Sequence, residues 1–503
     1  MTSPESPQPA GTEPQRNPSA RGAKDSAWVS TTYFAEGYPY SIINNLAEVL
    51  FKELGASLEV IGLTSLFHLP WNLKFLWAPF VDQFETKKRW IVAIEVALTV
   101  ALAALALCTS STTLLGVVSA LFVLLALLSA THDIAIDGFY LDALDAEGQS
   151  KFVGFRAMAY KLASLLVRGP LLILIGWIGW RIGLLAAAAV MLLLTVVHAR
   201  LLPHNETRKR PLPVLLRAVL RPRVFLIASA ILVMTLVLRR FSSQTSWLGT
   251  LKARIVAVPW ISAMPVQAWI VAGLIALLVV ILALRAPLKR RLAGRDSFYA
   301  AAFIDFMARP KVGRVLAFVL LFRAGESFLQ KMKWPFLRDV LHLSLDQYGF
   351  ANGTLGVVAS FAGTFAGGWL ISRQGLERWI WPFAIIQNVL HLLYMGLAIA
   401  AQGSSVGLAP VVAVIMTEHF GEGLGTALFM VFLMRACDPA HKAAHMAILT
   451  ALMSVSFTVA GVASGFLAKA VGFTWYFAFT LLAALPGMAV IPFLPHLKTA
   501  PRR

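Results

Sequence analysis

Two pairs of carboxylates stand out in a chain that is otherwise poor in charge. Asp133-x-x-x-Asp137-Gly138 and Glu418-x-x-x-Glu422-Gly423 each set two acids four residues apart within apolar sequence. On a helix that spacing puts both carboxyls on one face. Two like charges held close in a dry setting can keep one proton between them, which is what coupling solute movement to protons requires. Asp133, Asp137, Glu418 and Glu422 are therefore the proton-coupling candidates. For the first pair the competing expectation is a latch, with Asp133 and Asp137 paired to Arg156 or to loop cations. Glu418 and Glu422 have fewer cations adjacent in sequence, and a place in a cavity is expected for them.

Cations occur in the same apolar stretches. An isolated charge at the centre of a bilayer costs about 2.5–3.5 kcal/mol on insertion scales, so each needs a partner or a water-filled cavity. Lys161 and Arg168 share a helix face, and Arg156 lies roughly 100° or more round from them. With Lys74, they would suit a solute bearing carboxylates or phosphates, although packing is the expectation for Arg168. Glu36 shares a side with Tyr33 and Tyr40, and Asn44 lies in the same apolar run. Further on, Glu326 and Lys333 share a face near Arg323 and Lys331. The binding candidates are Tyr33, Glu36, Tyr40, Asn44, Lys74, Arg156, Tyr160, Lys161, Arg323, Glu326 and Lys331. Asp82 with Lys88 and Arg89 reads as a gating clasp in a loop.

The elements that must hold these groups are membrane spans. A length of 503 residues would allow about three soluble domains. Hydrophobic residues make up 58% of the chain and charged residues 14%, with a mean hydropathy of +0.72. That leaves too little polar surface for several globules in water. The net charge of +19 would point to nucleic acid in a soluble protein. In a membrane protein it points first to basic cytoplasmic loops. Cys108 and Cys437 are far apart and offer neither a disulfide framework nor metal-ligand spacing.

Six spans are expected at about 27–50, 58–80, 90–109, 113–140, 152–175 and 177–200. Two more are expected near 224–240 and 264–286, between basic linkers. Another six follow near 315–338, 346–371, 379–401, 405–435, 441–468 and 473–494. The expected fold is thus an all-α polytopic membrane protein of about 14 transmembrane helices, six, two and six. Its parts are a disordered tail at 1–25, bundles at 26–202 and 313–496, an inserted segment at 203–312 and a tail at 497–503. Lys87, Lys88 and Arg89, the Arg373/Arg378 loop, both linkers and Lys498, Arg502 and Arg503 all fall on one side. The excess of lysine and arginine there places both termini in the cytoplasm of a bacterial-type inner membrane. Arg239, Arg240, Lys252 and Arg254 fall on the other side and break the pattern.

The chain also repeats itself. Lys52-Glu53 recurs as Arg338-Asp339, Ser57-Leu58-Glu59 as Ser344-Leu345-Asp346, Gly62 as Gly349, and Arg89-Trp90-Ile91 as Arg378-Trp379-Ile380. The acid pairs recur at the same near-constant spacing. Two parallel six-helix halves related by an axis along the membrane normal are the plan of major facilitators, which rock about a midplane site.

The loop Trp77-Ala78-Pro79-Phe80-Val81-Asp82 followed by Lys87-Lys88-Arg89-Trp90 resembles the major facilitator loop signature, with Ala78 in the usual glycine position. A degenerate copy reads Gly368-x-x-x-Ser372-Arg373-x-Gly375. Three stretches narrow the likeness: Ile61-Gly62-Leu63 with Leu69-Pro70-Trp71-x-Leu73-Lys74-Phe75-Leu76-Trp77, Asp133-Ile134-Ala135-Ile136-Asp137-Gly138, and Glu418-His419-Phe420-x-x-Gly423-Leu424-Gly425-Thr426-Ala427. Together they resemble the AmpG-type muropeptide permease and acetyl-CoA transporter branch. That resemblance implies a fourteen-helix importer driven by protons, with anhydro-muropeptides as the best-known solutes. Glu36-Gly37-Tyr38-Pro39-Tyr40 and the cations Arg156, Lys161 and Arg168 have no match in it.

The expected function is proton-coupled import of a polar anionic solute, a muropeptide first, by alternating access. Efflux or exchange of a siderophore, peptide or coenzyme A ester is the alternative, and a membrane-embedded transferase is a remote third. No G-x-x-x-x-G-K-[ST], H-E-x-x-H or G-x-S-x-G stretch exists, so neither ATP drive nor enzymatic activity is expected. No cofactor or metal is expected, only the proton gradient. The expected partners are the solute and the lipid bilayer, with no nucleic acid, and the expected state is a monomer.

Overall fold

A computed structural model describes residues 18–74, 77–109, 115–203, 306–438 except 308 and 310, and 442–497 except 496. The expected spans at 224–240 and 264–286, most of the basic linkers and the outermost tail residues lie outside that set. Every regular element among the described residues is a helix. In the first half, α1 covers 18–53 and α2 covers 58–73 and then Ala78–Gln83, followed by α3 (Lys87–Cys108), α4 (Leu115–Ala143), α5 (146–178) and α6 (180–201). The second half repeats the plan with α7 (312–339), α8 (Leu345–Gln374), α9 (Leu376–Gly403), α10 (Leu408–Ala436), α11 (442–471) and α12 (473–493). These account for the two expected sets of six. One boundary differs: helix begins at Pro18, inside the stretch expected to be tail.

Length and apolar composition alone qualify six stretches to cross a membrane. Two of them, Gly154–Leu201 and Ile448–Phe493, run 48 and 46 residues, enough for two passes each. Each is broken by one glycine at positive φ, Gly179 at 81° and Gly472 at 74°. A side chain rarely adopts that conformation, so glycine alone makes both single-residue turns. Helices α1, α2, α7 and α10 are not among the six. They carry Glu36, Lys74, Glu326 and Glu418, of which the three glutamates are buried within the protein.

Regular helix gives way at three places to the wider π form: Ile42–Leu46 in α1, Val167–Leu171 in α5 and Gly349–Gly356 in α8. Pro170 lies inside the second, where the missing N–H and the ring disfavour a regular turn. All three stretches contribute to the wall of the central cavity described below.

The packing differs between the two ends of the molecule. At the end holding the α1–α2 and α7–α8 turns, one apolar core runs through both halves, from Ile42, Leu50 and Phe51 to Trp334, Phe336 and Phe477. At the opposite, basic end the cores are separate. Trp28, Ile91 and Phe139 belong to one, and Phe318, Phe383 and Phe432 to the other. Among the described residues, the halves therefore share one core at one end and keep separate cores at the other.

Glycines allow the halves to meet at the shared core. A Cβ on Gly62 of α2 would lie 3.0 Å from the Gly461 carbonyl of α11, and one on Gly465 would collide with the Leu58 carbonyl. Across the pseudo-twofold axis, a Cβ on Gly349 would lie 3.0 Å from the Ile173 amide, and one on Gly353 would collide with the Arg168 carbonyl. Close backbone approach of this kind needs small residues on both helices. The repeated Lys52-Glu53 and Arg338-Asp339 dipeptides pair crosswise over it. Lys52 Nζ is 2.6 Å from Asp339, and Arg338 Nε is 3.0 Å from Glu53. Lys469 adds a third bridge, to Glu59.

Candidate solute and coupling site

Between the halves lies a cavity of about 240 Å³. Its wall includes Tyr40, Asn44, Glu48 and His68 from α1 and α2, and Arg168 from α5. The other half supplies Arg323, Glu326 and Gln330 from α7, Asn352 from α8, Glu422 from α10, and Ser454 and Phe457 from α11. Five sequence candidates thus meet here: Tyr40, Asn44, Arg323, Glu326 and Glu422. The aromatic corner is ordered by contact. Tyr40 stands edge-on to Trp71 at 5.0 Å and against Tyr160 at 5.7 Å, and His68 Nδ1 lies 3.0 Å from Asn44 Oδ1.

Arg168 corrects one expectation. It was expected to pack, but the π turn of α5 brings it to the cavity wall. Among the described residues no carboxylate lies within ion-pair distance of it. The remaining wall cation, Arg323, is held by Glu326, with Nε to Oε2 at 2.7 Å, and by Glu422 at 3.8 Å.

Around the cavity the second-half acids are wired into α7. Lys333 Nζ donates to Glu418 Oε2 at 2.6 Å, and both side chains are 1% exposed. Glu418 therefore sits behind the wall, against the expectation of a cavity position, while Glu422 lines it. Gln387 donates to Glu326 at 2.9 Å. His419 joins the network at 3.1 Å from Glu422 and 2.9 Å from the Asn352 side-chain oxygen. Lys331 is not available to a solute: it donates to Thr64 at 2.7 Å and lies 3.3 Å from Glu48, tying α7 to the first half.

The first-half acids form a second cluster, one to two turns nearer the basic end of α1. Lys74 donates to Asp133. Arg156 Nη2 lies 2.9 Å from Asp137 Oδ1, and Tyr33 donates to the same oxygen at 2.9 Å. The Arg156 guanidinium also sits 4.3 Å above the Tyr33 ring, a cation–π contact. Of the expected latch, the Arg156 arm to Asp137 is present, whereas Asp133 takes Lys74 in place of a loop cation. Glu36 completes the group. Its carboxyl oxygens and those of Asp133 and Asp137 include a set lying within 4.8 Å of one another. That spacing would admit a cation, although both aspartates already hold basic partners. Gly37 keeps α5 close, since a Cβ there would lie 2.8 Å from the Tyr160 carbonyl.

Two further candidates part from expectation. Lys161 is exposed on α5 and places its Nζ 5.0 Å from the Phe361 ring of α8. Where α2 ends and α3 begins, Asp82 pairs with buried Lys87 rather than with Lys88 or Arg89. Lys88 donates to the Leu202 carbonyl at 2.7 Å, and Arg89 pairs with Glu85 at 2.7 Å. These contacts stay within the first half, so they do not clasp one half to the other. Gly138 of the acid motif leaves room for the Lys87 stem, which a Cβ would approach to 2.8 Å.

A third polar cluster was missed from sequence. Glu95 Oε1 of α3 lies 3.2 Å from His132 Nε2 and 2.6 Å from His198 Nδ1, all fully buried. Three ionisable residues within otherwise apolar helices were the available signal, but nothing in their spacing tied them together. Gln387, His419 and Asn352 were not among the candidate site residues either.

A duplicated helical bundle with a polar cavity on its pseudo-twofold axis defines a multi-pass membrane transporter. The chain belongs to the Major Facilitator Superfamily, whose model matches residues 29–330. It is 25% identical over 464 residues to the anhydromuropeptide permease of Escherichia coli K12, covering 91% of this chain and 77% of that one. It is also 25% identical over 481 residues to an uncharacterized protein of Haemophilus influenzae, covering 93% of each. The fold is shared with a peptide transporter of the POT family solved in complex with sulfate. The TM-score is 0.60 at 16% identity, over 93% of this chain and 94% of that one. The AmpG-type resemblance read from the sequence motifs stands, and the protein is a transporter, not an enzyme.

Proposed function

We propose that the protein imports a polar anionic solute, in the first instance a muropeptide-like sugar-peptide, by proton symport and alternating access. The observation that carries this reading is Arg168, a cation without a carboxylate partner in a cavity walled by both halves. An unpaired guanidinium at that depth is favoured only if a bound carboxylate or phosphate, or water, completes it. The name of the Escherichia coli relative supplies the sugar-peptide. At about 240 Å³ the cavity is smaller than the ~300–1,000 Å³ of typical ligand pockets. A sugar-peptide therefore anchors its acidic end there and extends between the separate cores. The excess of basic loop residues at the end with separate cores supports a cytoplasmic location for that end, and for both termini, in a bacterial inner membrane. The conformation is then inward-facing, and the chain acts as a monomer.

The test is uptake of a labelled anhydromuropeptide into proteoliposomes, with and without an inward proton gradient. Gradient-driven accumulation is expected, and flux indifferent to the gradient would refute symport. Arg168→Gln removes a charge-assisted contact of about 1.5–3 kcal/mol, so uptake efficiency should fall roughly 10- to 100-fold. Unchanged uptake by that variant would remove the solute anchor.

A further inference from the structure

The first-half cluster does not balance its charge. Glu36, Asp133 and Asp137 bring three carboxylates to one place, and the bases that reach them are Lys74 from α2 and Arg156 from α5. The other polar groups facing the cluster are hydroxyls: Tyr33 and Tyr40 on α1, Tyr140 on α4 and Tyr160 on α5. Each aspartate has its own base. Glu36 has none. Its residue is 8% exposed, and Oε2 is buried without a hydrogen-bond partner. An ionised carboxylate in that position would leave one uncompensated negative charge within the bundle, at a cost that a single bound proton removes.

The second half resolves the same count differently. Glu326 has Arg323, Glu418 has Lys333, and Glu422 lies 3.8 Å from Arg323 and 3.1 Å from His419, so each of these acids has a basic neighbour. The unbalanced carboxylate is thus in the first half, on α1. The same helix continues through Tyr40 and Asn44 into the cavity wall.

We infer that Glu36 is the proton-carrying residue of this transporter, taking up one proton in the Glu36–Asp133–Asp137 cluster while Lys74 and Arg156 remain on the two aspartates. This rests on the symport reading above, and it moves the carrier from the repeated acid pairs to a carboxyl with no counterpart in the repeat. At the repeat spacing that matches Lys52 with Arg338, Glu36 aligns with Phe322, so α7 carries no acid at that position. The step is simple addition: a carboxylate oxygen accepts a proton from water on one side and releases it on the other. A proton suits the site better than a sodium ion. It needs one oxygen, whereas a metal ion needs several, and both aspartates are already engaged.

Two measurements on the full-length protein test this. The first needs no solute: infrared difference spectra of protein in lipid, taken across a pH titration. A protonated-carboxyl band should be present in the wild type, lost in Glu36→Gln and restored in Glu36→Asp. A band that persists unchanged in Glu36→Gln overturns the assignment even if symport itself is correct. The second is anhydromuropeptide accumulation in proteoliposomes, in sodium-free and sodium-containing buffer. Glu36→Gln should lower gradient-driven accumulation at least about tenfold and flatten its pH profile, with Glu36→Asp recovering most of it. Counterflow exchange, which needs no gradient, reports whether the variant is folded. Loss of counterflow without rescue by Glu36→Asp assigns Glu36 a structural role and overturns the inference. So does wild-type accumulation that follows sodium instead of pH. Absence of gradient-driven accumulation in the wild type would instead defeat the symport reading, and the infrared result would still stand alone.

Discussion

The two halves carry the same acid pair at the same helix position but wire it to different neighbours. In the first half, Asp133 and Asp137 of α4 take their bases from α2 and α5, while α1 contributes another acid. In the second, Glu418 and Glu422 of α10 take theirs from α7, and Gln387 and His419 fill the remaining positions. Burial differs as well. The Lys333–Glu418 pair is 1% exposed on both sides, whereas the Lys74 side chain is 35% exposed beside Asp133. Duplication therefore fixed where the carboxylates sit, and later divergence decided what each set does. A dry, fully paired cluster positions a helix. A wetter cluster with one acid in excess can exchange a proton.

That contrast can be broken most forcefully at its driest pair. Lys333→Met leaves Glu418 buried without a counter-charge, a change worth about 3–5 kcal/mol. Thermal unfolding in detergent should show a large loss, largely recovered in the double variant Lys333→Met with Glu418→Gln. Lys74→Met should cost no more than about 1–2 kcal/mol, because water already reaches that pair. Equal losses at the two sites would erase the distinction between them.

The shared core between the halves offers the next largest effect. Gly465→Val forces a side chain against the Leu58 carbonyl, and overpacking of that kind costs about 1–3 kcal/mol. The closed form of that end should become roughly five- to a hundredfold less populated. Thiol labelling of Ala56→Cys, in a background lacking Cys108 and Cys437, would read this as faster modification. The crosswise bridges should matter least, since exposed ion pairs are worth about 0–1 kcal/mol. Glu53→Arg should raise labelling by no more than about fivefold, and Arg338→Glu in the same chain should restore it. A larger effect from Glu53→Arg than from Gly465→Val would place the gate's strength in charge and not in packing.

Much of the fold was legible before the structure. Span positions followed from apolar runs, and the duplication followed from dipeptides that proved to pair with one another across the axis, Lys52-Glu53 with Arg338-Asp339. The candidate residues were also visible, because a charge within an apolar run needs a reason. Their partners were not. Lys331 looked like a solute ligand and bridges the halves through Glu48 and Thr64. Arg168 looked like packing and faces the cavity. Lys87, not Lys88 or Arg89, holds Asp82.

The sequence by itself determined the order of the described passes, the membrane setting and the internal repeat, and marked which ionisable groups lie in apolar runs. Hydropathy and spacing are local quantities, and they survive in one dimension. Only the tertiary structure decided which cation neutralises which acid, which end is sealed, and that Arg168 at the cavity and Glu36 in the first-half cluster have no ion-pair partner among the described residues. Pairing across a bundle depends on helix rotation to within a fraction of a turn. The π segments at Ile42–Leu46, Val167–Leu171 and Gly349–Gly356 shift that rotation in a way no regular 3.6-residue period foretells.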